Sequence, residues 1–157
     1  MINDSDERFL LNMELLTIKE HIEENKEFAS NPLCKDTLDM TINFYKSVGY
    51  NPPWIGYYAR NDNQLVGCAG FKGRPMDNKV EIAYGTFEMY QRQGMGTEIC
   101  KLLVNLSLKT NPAIRIMART LPEKNFSTRI LEKNAFKFLG TVNDLDDGEV
   151  WEWEFFG

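Results

Sequence analysis

The stretch with the clearest chemical potential is Gln91-Arg92-Gln93-Gly94-Met95-Gly96-Thr97. Two glycines flank one residue where a helical period begins, with Met95, Ile99, Leu102, Leu103 and Leu106 recurring on one face. Glycine lets the backbone approach a ligand with no Cβ in the way. A helix start leaves its first N–H groups unpaired and carries partial positive charge. Together these features predict a seat for a pyrophosphate, against the plainer reading of a simple turn. A Walker phosphate loop needs lysine after its last glycine, and here Thr97 follows Gly96. A dinucleotide fingerprint needs a third glycine on the first strand of its unit. Ile99 occupies that place, and the strand is about the fourth.

Other reactive side chains are few. His21 is the single histidine and lies in the charged run Lys19 to Glu24, which reads as a solvated helix face. Serine–histidine and cysteine–histidine mechanisms would have only that residue to use. Cys34, Cys68 and Cys100 are odd in number, far apart and without a CxxC pair. That argues against a disulfide framework and against a zinc site, so no metal is expected. They read as small buried hydrophobes in a reducing cytoplasm. Asn125 and Ser127 stand at the start of a helical segment and read as helix caps.

The elements that must position these residues follow from pattern. The 157 residues suit one domain, 1–157, with 1–7 as a flexible tail. Phe9 to Met13 reads as a short strand. Thr17 to Ala29 reads as a helix capped by Thr17 with Glu20 in the capping-box position. Lys35 to Val48 is a second helix, with Leu38, Ile42 and Tyr45 on one face and Gly49 after its end. Strands follow at Trp54 to Ala59 and Leu65 to Phe71 around the turn Asn61-Asp62-Asn63, then at Lys79 to Phe87. After the glycine turn come a helix over 94–108, a strand over 114–118 and a helix from Phe126 to Asn134. Two strands, Phe136 to Val142 and Val150 to Phe156, close the chain. In the last, Trp151, Trp153 and Phe155 share one face, as a packing stripe. The order β-α-α-β-β-β-α-β-α-β-β implies an α/β arrangement with a mixed sheet, containing one right-handed parallel crossover.

A net charge of −5 leaves no basic excess for nucleic acid, and no apolar run is long enough to span a bilayer. The polar, acidic N-terminus is unlike a signal peptide, so a cytoplasmic location is expected.

Gln91-x-x-Gly94-x-Gly96 after a β-strand resembles the acyl-CoA pyrophosphate loop of the GNAT (Gcn5-related) N-acetyltransferases. The likeness extends to Val80-Glu81-Ile82-Ala83-Tyr84, similar to that family's central strand. It continues in Asn125-Phe126-Ser127 followed by Ile130-Leu131-Glu132-Lys133-Asn134-Ala135-Phe136, similar to the helix of the branch containing the ribosomal-protein N-acetylases. The resemblance implies a mixed central sheet of about 6–7 strands with about four helices, splayed at the cofactor site. It implies acetyl-CoA (coenzyme A) as donor and a primary amine, a small molecule or a protein N-terminus, as acceptor, in a monomer or homodimer.

Residue by residue, the resemblance makes Glu81 the candidate base. The other reading of that residue is a surface carboxylate or an ion pair with Lys79 or Arg119. Backbone groups of Ile82, Ala83 and Tyr84 would meet the pantetheine arm. Arg92, Gln93, Gly94, Met95, Gly96 and Thr97 would cradle the pyrophosphate. Asn125 and Ser127 would meet the cofactor, with Ser127 steadying the leaving thiolate. Two positions depart from the pattern. Ala135 stands where glycine is usual, with only local backbone adjustment expected. Leu131 stands where many relatives carry a tyrosine acid. A non-catalytic acyl-CoA-binding module and a nucleotide-binding module are the competing expectations.

Overall fold

The computed structural model describes residues 12–157. Strands β1 (Met13–Thr17), β2 (Gly56–Asn61), β3 (Gln64–Phe71), β4 (Lys79–Thr86), β5 (Arg115–Thr120), β6 (Phe136–Asp144) and β7 (Gly148–Phe155) form one sheet in the order β1-β2-β3-β4-β5-β7-β6. Helices α1 (Lys26–Ala29), α2 (Lys35–Val48), α3 (Met95–Thr110) and α4 (Phe126–Lys133) complete it, with three short 3-10 turns. The β4–β5 pair is parallel and the other neighbours are antiparallel. The mixed sheet, the element order and the parallel crossover through α3 match the sequence reading. The expected tail over 1–7 lies outside the described residues, as does most of the strand expected at Phe9 to Met13.

The first helix is the main difference. Thr17 caps nothing: it ends β1 and pairs with Tyr57. Only a 3-10 turn at Ile22–Glu24 and the single turn of α1 are helical. Asn25 explains the break. Its side chain is fully buried, donates to the carbonyls of Lys19 and His21, and accepts from the Lys19 N–H. A side chain that takes these backbone groups competes with a continuous helical ladder. The link from an acid back to the chain starts at His21, whose N–H donates to Glu24 Oε1, and not at Thr17.

Sheet register decides which residues share a face, because side chains alternate along a strand. Tyr58 pairs with Cys68, and Cys68 with Gly85, so Gly85, Ala83 and Glu81 face the same way as Tyr58. On that face α2 packs, and Thr37 bonds the Tyr58 hydroxyl at 2.7 Å. Val80, Ile82 and Tyr84 face the opposite way, toward α3, whose Ile99, Cys100 and Leu103 are fully buried. The tryptophan stripe is packing, as expected. Trp153 is buried, its indole N–H donates to Thr120 Oγ1, and Phe138 stacks against both Trp151 and Trp153.

The strands that matter for function part company in the middle of the sheet. The β4–β5 ladder runs only from Lys79 opposite Arg115 to Ile82 opposite Ala118. β4 continues to Thr86 and stays paired with β3, while β5 continues to Thr120 paired with β7. Ala83 to Thr86 therefore present a strand edge with no β5 partner. This is the splay the resemblance implied.

Candidate active site

A cleft of about 580 Å³ lies beside that splay, between the end of β4, the start of α3 and one side of α4. Its floor follows from the glycines. Gly94 caps α3 at φ 80°, ψ 1°, a left-handed conformation that glycine adopts without strain. Gly96 sits where α3 and α4 meet. A Cβ there would come 2.7 Å from Ile130 Cδ1 and 3.3 Å from Thr86 Oγ1. The chain thus brings a helix start, with its unpaired N–H groups and partial positive charge, to an open cavity. Such an arrangement holds phosphate oxygens.

Of the residues singled out from the sequence, Tyr84, Arg92, Gly94, Met95, Gly96, Thr97 and Ser127 line this cleft. Ile82 is buried in the core. Ala83 points from the other face of the sheet, so only their backbone can meet a ligand at the splay. Gln93 is exposed and donates to the Met89 carbonyl. The Asn125 side chain caps α4 by accepting from the Thr128 N–H, and the Asn125 backbone N–H donates to Thr128 Oγ1. Phe126, Arg129 and Lys133 also line the cleft and were not singled out. Their signal was present as a ridge on one side of α4 running directly on from Asn125.

Two groups are held protonated by burial, Tyr84 lining the cleft and Cys100 in the core behind it. The Tyr84 phenol is pushed well above its ordinary range by desolvation and by nearby Cys100, and its hydroxyl donates to the Ser127 carbonyl. Burial pushes the Cys100 thiol up to about 12. All three cysteines are free, and Cys34 and Cys100 are buried, consistent with packing roles. Leu131 is fully buried in the core and cannot touch a ligand.

Glu81 lies on the opposite face of β4 from this cleft. Its Oε2 is 2.8 Å from Lys72 Nζ, and Oε1 is 3.9 Å from Arg119 Nε. The Lys72 contact is an ion pair without hydrogen-bond geometry, and Oε2 is buried with no hydrogen-bond partner. The expected pairing with Arg119 is present; the lysine involved is Lys72, not Lys79. Arg119 also reaches Asp144 at 2.9 Å and Glu152 at 3.3 Å. The N–H of Asp146, then Arg119, then the N–H of Asp147 hold the Asp144 carboxyl down at about 2. The result is a half-buried group of three acids and two bases at the mouth of the splay. Among the described residues, no cluster of histidine, cysteine and acids could hold a metal ion.

A splayed mixed sheet with a helix-start anion seat on one face and a charged cluster on the other defines an acyl-CoA-type transferase architecture. The sequence profile of the Acetyltransferase (GNAT) domain matches residues 11–137, and the chain belongs to that family. Among solved structures it is similar to a GNAT-family acetyltransferase from Bordetella pertussis, with TM-score 0.68, 17% identity and coverage of 92% of this chain and 96% of the other. It is also similar to RimL, a ribosomal alpha-N-protein acetyltransferase, in complex with coenzyme A (TM-score 0.66, 15% identity, coverage 91% and 93%). A third likeness is to a chimera of the spermidine N-acetyltransferase SpeG from Vibrio cholerae and hSSAT (TM-score 0.67, 11% identity, coverage 92% and 94%). No curated protein sequence matches the chain.

Proposed function

We propose that the chain transfers the acetyl group of acetyl-CoA to a primary amine, a small molecule or a protein N-terminus, by direct attack. The observation that carries this reading is the end of the β4–β5 ladder at Ile82 and Ala118. The anion seat lies on one face of that opening and the Glu81 carboxylate on the other. A donor threaded through the splay would bring its reactive end within reach of an acceptor arriving on the Glu81 face.

The donor supplies an activated thioester, and the chain supplies the rest. The Glu81 carboxylate, half-buried on that face, takes the amine proton. Lys72 and Arg119 fix the carboxylate in place. The β4 edge beyond Ile82 pairs with the amides of the donor arm and polarises its carbonyl. The start of α3 holds the pyrophosphate. The Ser127 hydroxyl, exposed in the cleft, donates a hydrogen bond to the departing thiolate, the task Leu131 cannot perform. Three free cysteines suit a cytoplasmic location, and no described helix is long and apolar enough to cross a membrane.

The test is thiol release from acetyl-CoA across a panel of polyamines, amino-sugar amines and N-terminal peptides. Acceleration by at least one class supports the reading. Tight coenzyme A binding with no acceleration by any class would make the chain a binding module instead.

A further inference from the structure

One row of side chains on α2 is apolar where the outer face of a surface helix is normally polar. Met40, Phe44 and Val48 stand four residues apart, one above another on the helix, and are 70%, 38% and 36% exposed. A contiguous exposed apolar row marks a contact surface. Two contacts fix the way it faces. Tyr45 donates to the Ile18 carbonyl just past β1. Val48 rests beside Gly73 just past β3, where a Cβ would come 3.6 Å from Val48 Cβ. The flank that carries the row is therefore turned away from β1 and toward β4. Gly73 also follows Lys72, whose ammonium lies 2.8 Å from Glu81. The row thus leads along α2 to the candidate base.

The charged floor beside the row suits one ammonium. Glu81, Asp144 and Glu152 set against Lys72 and Arg119 leave a single net negative charge. That balances a monoamine and not a polycation. The row from Met40 to Val48 spans about 12 Å of helix, the reach of about three to four residues of extended chain. An α-amine also gives up its proton about two pH units lower than an alkyl amine, which eases the task of a carboxylate base. We propose that the acceptor is a polypeptide amino terminus with bulky apolar side chains among its first residues. Met40, Phe44 and Val48 hold those side chains while the amine meets Glu81. The acetyl carbon passes from the coenzyme A sulfur to the α-nitrogen. The C–S bond breaks as the C–N bond forms, and the amine proton goes to Glu81. The inference rests on the reading of the chain as an acetyl-CoA-dependent amine transferase.

Steady-state acetylation by the intact chain tests it, with peptides led by leucine or phenylalanine, peptides led by glycine or serine, spermidine and phenylethylamine as acceptors. The apolar-led peptides should show kcat/KM about tenfold or more above the glycine- and serine-led ones, the usual worth of an apolar group on an apolar wall. Phe44→Ser and Met40→Ser change exposed side chains. Each should raise KM for the apolar-led peptides about tenfold. Each should leave kcat, KM for the glycine-led peptide and the coenzyme A dissociation constant within about twofold of wild type. A higher kcat/KM for spermidine or phenylethylamine than for every peptide would overturn the inference alone. So would peptides accepted without regard to their first side chains, or variants whose KM is unchanged or rises equally for all peptides. No acceleration by any acceptor, with coenzyme A still bound, would overturn the transferase reading and this inference with it.

Discussion

Gly96→Ala separates the shape of the cleft from the stability of the fold. The new Cβ would stand 2.7 Å from Ile130 Cδ1, about 1 Å inside an ordinary carbon–carbon contact. The obstacle is the tip of a flexible side chain, so Ile130 can swing away, and Ile130 lines the cleft. Overpacking of this size costs about 1–2 kcal/mol. Replacing a helical glycine by alanine returns up to about 1 kcal/mol. Net destabilisation should therefore stay within about 1 kcal/mol, a shift of roughly 2–4 °C in Tm for a domain of this size. Binding should suffer more, because the displaced isoleucine enters the volume the donor needs and α3 shifts against α4. We expect coenzyme A affinity to fall about tenfold, some 1.4 kcal/mol, by calorimetry on a variant whose melting curve stays cooperative. A variant with unchanged affinity and unchanged Tm would refute the argument that this close approach shapes the donor site.

Two further outcomes follow from the same geometry. Ser127→Ala should lower kcat by well over twofold while leaving coenzyme A affinity unchanged; a smaller loss in steady-state assays would remove this hydroxyl from the chemistry. Ala135 has φ 65° at the junction of α4 and β6. Ala135→Gly should relieve about 1 kcal/mol of strain and raise Tm by roughly 2–4 °C, as read by calorimetric melting.

The second half of the chain was the more legible half, for physical reasons. Its helices carry clean apolar periods and sharp stops such as Asn111-Pro112, and the Gly94-x-Gly96 turn announces the anion seat without help from distant residues. Lys35–Val48 was equally plain. The stretch 17–29 misled because a capping-box pattern at Thr17 and Glu20 competes with Asn25, whose buried amide ties up three backbone groups. That depends on burial, which no local pattern reveals. Ala135 was expected to bring local backbone adjustment, and the adjustment is a left-handed position where glycine would rest unstrained. The face on which Glu81 lies, and its Lys72 partner, depend on sheet register, so the sequence suggested Arg119 but named the wrong lysine. No role for Arg129 and Lys133 was legible, because exposed cations on a helix usually face only water.

The central claim is that Glu81 takes the amine proton on one face of the splay while the donor is held from the other. Glu81→Gln tests it most directly, keeping the shape of the side chain while removing its basic oxygen. With the best acceptor in hand, kcat and the dissociation constant for coenzyme A would be measured on the same preparation. The account predicts a fall in kcat of about 100-fold, the usual worth of a positioned base, with coenzyme A affinity within about twofold of wild type. Full turnover in that variant would contradict it.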